Sequence, residues 1–446
     1  MTTFSPLPHQ ITDADFLAQR KVAGCFNGMG TGKTRTALMA AAQVQADRIV
    51  IVGPPISLHM WKAEAEDHLG LTAQVLKSSS TKIDRNAQVL VVSYAIATTN
   101  AAHLFDWAHV GKTSVLICDE SHALKSTSSK RTKAILGKGG LINAFAHAWF
   151  LTGSPITRWN DDAIPFLFRA CPDVIKAKIG ELTIDRFVRR YCVTQKRQFN
   201  GARFPTTMIV GSRNEAEIGE IMAGVATRRT LREVASSMPA LTTSRLEITP
   251  TGISHLTKAL DGMTLREVEE KLASGEEHLA TLRRELGLSM IKDAAEHILQ
   301  TKEVTDGALL VGAWHREVID GLLAAVRATG LRAEKLDGTT NANRKVALQE
   351  AFNAREIDVL IGQIGAMGVS LNLQQGGNRI IVVEEDWSPS IMDQFYARLH
   401  RMGQTLPVHV DTLFVDTKLA KAVHNIATAK RRSHAAIGAA HQQAQE

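Results

Sequence analysis

The sequence predicts an α/β fold: two tandem parallel-sheet domains with a mainly helical insert between them. Three observations predict it. Near-continuous Val/Ile/Leu runs, each closing in polar, Gly or Pro residues, alternate with helical patterns through the first 155 residues. The same alternation returns over 307–446. Between them, from 160 to about 300, apolar runs are few and helical periodicity dominates, as in "TLREVEEKLASGEEHLATLRRELGL". Such runs suit strands buried on both faces, the environment of a parallel sheet covered by helices. The expected division is 1–158, a helical and basic insert over 159–300, 301–428, and a helical tail over 429–446.

The first element with evident chemistry is "GMGTGKTRT" (28–36). A strict phosphate loop reads G-x-x-x-x-G-K-[ST]. Its first glycine falls here on Asn27, so the strict pattern fails by one residue, while Gly30, Thr31, Gly32, Lys33 and Thr34 keep the looser form. Backbone N–H groups, a lysine for the β/γ charge and a hydroxyl for Mg²⁺ are the parts such a loop needs. The Ala-rich run after it reads as a helix, which places the loop at a helix N-terminus, where anions are favoured.

Four strands are expected next, in "RIVIVGPP" (48–55), "AQVLVVSY" (87–94), "SVLICDE" (114–120) and "HAWFLTGSP" (147–155). Ligand chemistry in open parallel sheets gathers at the carboxyl ends of the strands. The third run ends in Asp119 and Glu120, and adjacent carboxylates are costly there unless a cation or solvent offsets them. A Mg·nucleotide supplies that cation: Asp119 reads as the metal-side carboxylate and Glu120 as the group that polarises water. Five more strands are expected in "GALLVGAW", "RAEKLDG", "IDVLIGQIG", "NRIIVVEEDW" and "PVHVDTLFV". In the closing "QFYARLHRMGQ", Arg398 and Arg401 are three apart and would share a helix face.

Composition narrows the class. Of 446 residues 44% are hydrophobic and 22% charged, ordinary for a globular chain of two or three domains. The start "MTTFSPLPHQ" lacks the features of a signal peptide, and no apolar run is long enough to span a membrane, so no membrane association and a cytoplasmic setting are expected. Four scattered cysteines have no metal spacing. A net charge of +7 permits an anionic polymer as partner.

Taken in order, "LPHQ", "GMGTGKT", "VGPPISLHMWKAE", "DESHALKS", "LTGSPITRW", "LLVGAWHREVIDGL", "GAMGVSLNL" and "DWSPSIMDQFYARLHRMGQ" resemble the helicase superfamily-two motors. Within them the chain is similar to the Swi/Snf-type double-stranded DNA translocases, leaning towards the annealing-helicase branch. The resemblance implies two tandem RecA-like domains with ATP and Mg²⁺ between them. Lys33 and Thr34 would hold phosphate and Mg²⁺, Asp119 the metal shell, Glu120 the water and Gln10 the adenine, with Arg398 and Arg401 as arginine fingers. It also implies duplex DNA along both lobes, contacted by Pro55 and Ser57 within 54–57, by Trp61, Lys125, Thr152 and His315, and by Ser370 to Asn372. The chain departs from the pattern at Ser121 and Ser154, where Ala or Gly and Thr are usual, and at Phe26–Asn27, which replace an acidic pair. The absence of accessory modules fits a compact motor of the kind a bacteriophage or bacterium encodes.

A second basic patch is legible without the family. "DRFVRRYCVTQKRQFNGARF" (185–204) carries Arg189, Arg190 and Arg197 among its cations, with Phe187, Tyr191, Phe199 and Phe204 interleaved. Such a stretch suits a phosphate chain with aromatics stacking on unpaired bases, or a surface helix whose aromatics face the core. The expected function is an ATP-dependent translocase on duplex and branched DNA, driving fork regression or branch migration. It is expected to act as a monomer, with replication or recombination proteins as candidate partners. The rival readings are a strand-separating DNA or RNA helicase and a DNA-binding scaffold with an inactive nucleotide site.

Overall fold

The computed structural model describes residues 6–198, 204–234, 238–367 and 371–444. Contacts divide the chain into two units, Met1–Val234 with Arg432–Glu446, and Ala235–Arg431. Each is built on one parallel sheet.

In the first unit the strands are β1 (Val22–Cys25), β2 (Arg48–Gly53), β3 (Ala73–Leu76), β4 (Val89–Ser93), β5 (Ser114–Asp119) and β6 (His147–Leu151), then the hairpin β7 (Cys192–Arg197) and β8 (Thr206–Ser212), and the short β9 (Ala226–Thr227). The described residues form a seven-stranded sheet in the order β3-β4-β2-β5-β6-β1-β9, with β7 and β8 pairing separately and antiparallel. Side chains alternate between two cores, as a period of two requires. Val50, Val52, Leu90, Val92 and Leu116 pack on one face. Ile49, Ile51, Val89, Val91, Val115 and Ile117 pack on the other.

The second unit repeats the plan with β10 (Leu241–Glu247), β11 (Leu309–Ala313), β12 (Ala333–Leu336), β13 (Val359–Gln363), β14 (Arg379–Val382) and β15 (Val408–Phe414) in the order β10-β15-β14-β11-β13-β12. Leu309, Val311, Val359 and Ile361 face one core. Leu310, Leu360, Ile380 and Val382 face the other. The expected α/β class with two parallel sheets is the observed one.

The stretch after residue 160 holds more strand than its periodicity suggested. The hairpin β7–β8 and the edge strands β9 and β10 all lie there. They escape a search for apolar runs for physical reasons: β9 is two residues long, β7 and β10 are largely solvent-exposed and correspondingly polar, and β8 has only three apolar residues in a row, none of them buried. All four cysteines are buried and free. Among the described residues no helix is long and apolar enough to cross a membrane.

The helix Lys418–Gln443 starts in the second unit, and its residues from Arg432 onward belong to the first. There Ile437 and Ala440 close over Gly219, where an added Cβ would come within 2.5 Å of the Ile437 carbonyl. His441 is buried beside Arg228 and Arg229. Burial, reinforced by these two cations, pushes its pKa down from 6.5 to about 4. The unfolded chain therefore binds the proton first, and stability is full above pH 6.5 and falls as pH drops towards 4. At ~1.4 kcal/mol per pH unit across that window, the loss reaches about 3 kcal/mol. Urea midpoints at pH 7 and pH 4.5 should differ accordingly, and the difference should shrink in His441→Gln, which cannot titrate.

Candidate nucleotide and nucleic-acid sites

The glycine-rich loop joins β1 to the helix Lys33–Gln43. Gly32 takes φ 82°, a left-handed conformation that L side chains avoid, and an added Cβ would collide with the Gln10 amide. Lys33 opens the helix, with its ammonium on the carbonyls of Asn27 (3.0 Å) and Gly28 (2.9 Å). Thr34 follows in the same first turn. Gln10 is buried beneath the loop, accepting from the Leu7 amide at 2.9 Å and donating weakly to the Gly32 carbonyl at 3.5 Å.

Asn27, the residue that breaks the strict phosphate-loop pattern, is fully buried. Its amide donates to Asp13 Oδ2 at 2.7 Å, and its side-chain oxygen accepts from the Thr227 hydroxyl at 3.4 Å. The backbone adds Phe26 N to Thr227 O and Gly28 N to Arg229 O. Asn27 thus ties the root of the loop to the first helix and to β9, which a glycine has no side chain to do.

Asp119 closes β5 and is half-buried. Trp61, on the helix Leu58–Leu69, donates its indole N–H to Oδ2 at 2.8 Å, and the Glu120 amide donates to Oδ1 at 3.0 Å. Tyr94, at the end of β4, donates its hydroxyl to the Asp119 carbonyl at 2.7 Å. Desolvation, then the neighbouring Glu120, pushes the Asp119 carboxyl up to about 6 against the opposing pull of Trp61 and Lys33. Glu120 itself sits at φ 48°, ψ 49°, a strained conformation for a side chain of this size. Its carboxylate lies 3.2 Å from His122 Nδ1, which lies 3.2 Å from the Thr152 hydroxyl. Lys125 donates to Thr157 Oγ1 at 2.6 Å, and that hydroxyl donates onward to the buried Asp162. The segment after β5 is therefore linked to the segment after β6 by two side-chain bridges.

In the second unit the helix Pro389–Tyr396 ends before either arginine, so Arg398 and Arg401 do not share a helix face as expected. The following turns bring them together instead. Both donate to the Leu371 carbonyl, at 3.0 and 3.4 Å, and Arg401 also bonds the Asn372 side chain. Gln404 was not singled out by the sequence, yet it is a local hub. Its amide donates to the carbonyls of Gln374, Gly377 and Leu399, and its oxygen accepts from the amides of Thr405 and Leu406.

This geometry accompanies a family match. Residues 9–255 match the SNF2-related domain family, and 291–403 match the helicase conserved C-terminal domain family. The chain belongs to the SNF2-related family. It is similar to the DNA annealing helicase and endonuclease ZRANB3 of Mus musculus, 25% identical over 430 residues that cover 93% of this chain and 39% of that protein. The SWI/SNF-related matrix-associated actin-dependent regulator of chromatin subfamily A-like protein 1 of Xenopus laevis is 24% identical, over 86% of this chain and 39% of its own length. The probable global transactivator of Orgyia pseudotsugata multicapsid polyhedrosis virus is 25% identical, over 92% and 86%. The chain thus spans about two fifths of the first two relatives.

The expected phosphate-contacting residues of this SNF2-related chain divide by burial. Pro55, Lys125 and Asn372 are exposed, and His315 is half-buried with its ring on Glu384 at 2.6 Å. Ser57 and Thr152 are buried, with hydroxyls engaged by Pro54 and by His122, so the surface contact expected of their side chains is corrected to an internal one. Trp61 is corrected likewise: fully buried, it serves Asp119. The spacing of Leu58, Trp61 and Ala65, all buried, was the available signal for a core-facing stripe. In the basic stretch Phe187 and Tyr191 are fully buried, so neither ring is open to a base, whereas Phe204 is 71% exposed. Arg190 is paired with Glu217 and the exposed Arg189 with Asp185. Ser370, Phe199 and the side chain of Arg197 lie outside the described residues.

Replacing Trp61 by Phe keeps the ring and removes the N–H. That leaves a desolvated carboxylate oxygen without its donor, at a cost of about 1–3 kcal/mol. A lower urea midpoint for the transition that includes the first unit is the expected result, and an unchanged midpoint would remove the clamp.

Proposed function

We propose that this chain is a DNA-dependent ATPase that translocates along duplex DNA and moves branch points, acting as a monomer. One observation carries the reading: a single unit places a helix-opening Gly-rich loop bearing Lys33 within electrostatic reach of Asp119, whose carboxyl at the end of β5 is raised by desolvation and by the adjacent Glu120. The relative named above as a DNA annealing helicase and endonuclease supports the choice of DNA.

The donor set fits Mg²⁺. Asp119 is a half-buried carboxylate whose charge is disfavoured by desolvation and by Glu120, and a divalent cation offsets both. Thr34 and Asp119 would hold the ion together with substrate oxygens, and it would neutralise charge on the β/γ phosphates. Lys33 and the backbone amides at the helix start would bind phosphate. Trp61 and the Glu120 amide orient Asp119 so that its position does not depend on solvent. Glu120, strained and set beside His122, accepts a proton from the attacking water. Arg398 and Arg401 supply cations for the transition state.

Lys33→Ala is expected to abolish ATP turnover while duplex binding persists. Glu120→Gln should bind nucleotide and fail to hydrolyse it. Arg401→Ala should lose about 10³-fold in turnover. Near-normal turnover in all three would remove these residues from the ATPase site, and a parent without ATP turnover would return the chain to a scaffold with an inactive site.

The branch-point reading has its own measurement. Exchanging pairs at a junction is nearly balanced, since each stacked step broken, about 1.4 kcal/mol, is replaced by another. Forks and four-way junctions should therefore stimulate ATP turnover more than linear duplex of equal length and should migrate in gels with ATP. Efficient unwinding of blunt duplex would favour the strand-separating helicase instead.

A further inference from the structure

Residues 186–214 contain seven arginines and lysines and no acid. The structure sorts these cations. Glu217 neutralises Arg190 at 2.9 Å, and Asp185 pairs with Arg189 at 2.8 Å. Beyond them the chain rises into the β7–β8 hairpin. Thr194, Gln195 and Lys196 on β7 are exposed, as are Thr206 and Thr207 on β8. Lys196 pairs in register with Thr207, which sets a cation opposite a hydroxyl, and Arg197 follows in register with Thr206.

The root of this ribbon is fastened. Asn160, fully buried, donates its amide to the carbonyls of Tyr191 (3.0 Å) and Arg213 (2.9 Å), while its backbone N–H donates to Ser212 Oγ at 3.0 Å. Phe187 and Tyr191 are wholly buried beneath it, ring centroids 4.7 Å apart. A lone two-stranded ribbon is marginal in water and leaves both its edges unpaired. Here the fold fastens one in place, and its exposed residues combine hydroxyls, an amide and Lys196 with Val193 and Val210.

We propose that the β7–β8 hairpin is a duplex-contacting ribbon that lies against the sugar–phosphate backbone of double-stranded DNA; this rests on the translocase reading. Charge complementarity selects the occupant. An acid-free ribbon carrying Lys196 and Arg197 and lined by threonine and glutamine matches the groups that position proteins on phosphates. A two-stranded ribbon is also among the elements that the major groove admits.

The test is equilibrium binding of the full chain, free of nucleotide, to a labelled linear duplex over a KCl series. Lys196 is changed to Gln, with far-UV circular dichroism to check the fold. Each lost phosphate contact flattens the slope of log K against log salt by about 0.9, so the variant should flatten it by about 0.9. A parent that binds no duplex overturns the translocase reading itself. A parent that binds, with an unchanged slope in the variant, overturns the hairpin alone. Loss confined to single-stranded DNA, or altered self-association on a sizing column without a slope change, overturns it equally.

Discussion

A carboxylate at the end of β5 must be held in one place where solvent reaches it only in part. Asp119 is half-buried, and removing solvent from an ionised group is among the costliest things a fold does. The surrounding chain answers that cost. The indole of Trp61 and the amide of Glu120 take one oxygen each, and the Tyr94 hydroxyl fixes the backbone carbonyl beside them. Trp61 and Tyr94 follow β2 and β4, which lie in sequence beside β5 in the order β4-β2-β5. The strand order is thus what lets three distant segments meet at one carboxylate. Its rigidity passes outward, because Glu120 takes its strained backbone from the same turn and faces His122, whose other neighbour is Thr152 after β6.

The phosphate loop obeys the same logic on a neutral scale. Its glycines give freedom where the backbone turns, and freedom has to be limited at the root. Asn27 does this by joining Asp13 and Thr227, two residues 214 positions apart in the chain, through one side chain. Asp13 is raised by burial yet receives the Asn27 amide and the Arg229 charge. What looked in the sequence like a defect in a motif is a structural fastening, and local pattern matching has no means of seeing its partners.

The legible part of the molecule was the part governed by short-range periodicity. Runs such as RIVIV and VLVV announce strands because both faces are buried, and β2, β4, β5, β6 and β11 to β15 occur where those runs lie. Strands β7 and β10 were not legible, because an exposed strand has no reason to be apolar, and β8 offers only three apolar residues in a row. At the site, residue types at strand ends were readable, since an Asp–Glu pair there demands an explanation. Side-chain direction was not. Trp61 carries the same sequence signal whether it faces solvent or a carboxylate, and Phe187 and Tyr191 are interleaved with arginines simply because a surface helix presents one stripe inward. Arg398 and Arg401 illustrate a third kind of gap: their convergence on Leu371 is made by turns, which a helical spacing rule does not describe.

The helix Lys418–Gln443 has a consequence for the order in which the molecule is made. Its later turns pack against Gly219 and beside Arg228, within the unit that begins at the N-terminus. Domains generally fold as they leave the ribosome, N-terminal first. Here the earlier-synthesised unit stays short of its last packing partner until nearly all of the other has emerged. Until then the surface around Gly219 and Ala226 waits uncovered, and the finished first unit is the later of the two to be complete.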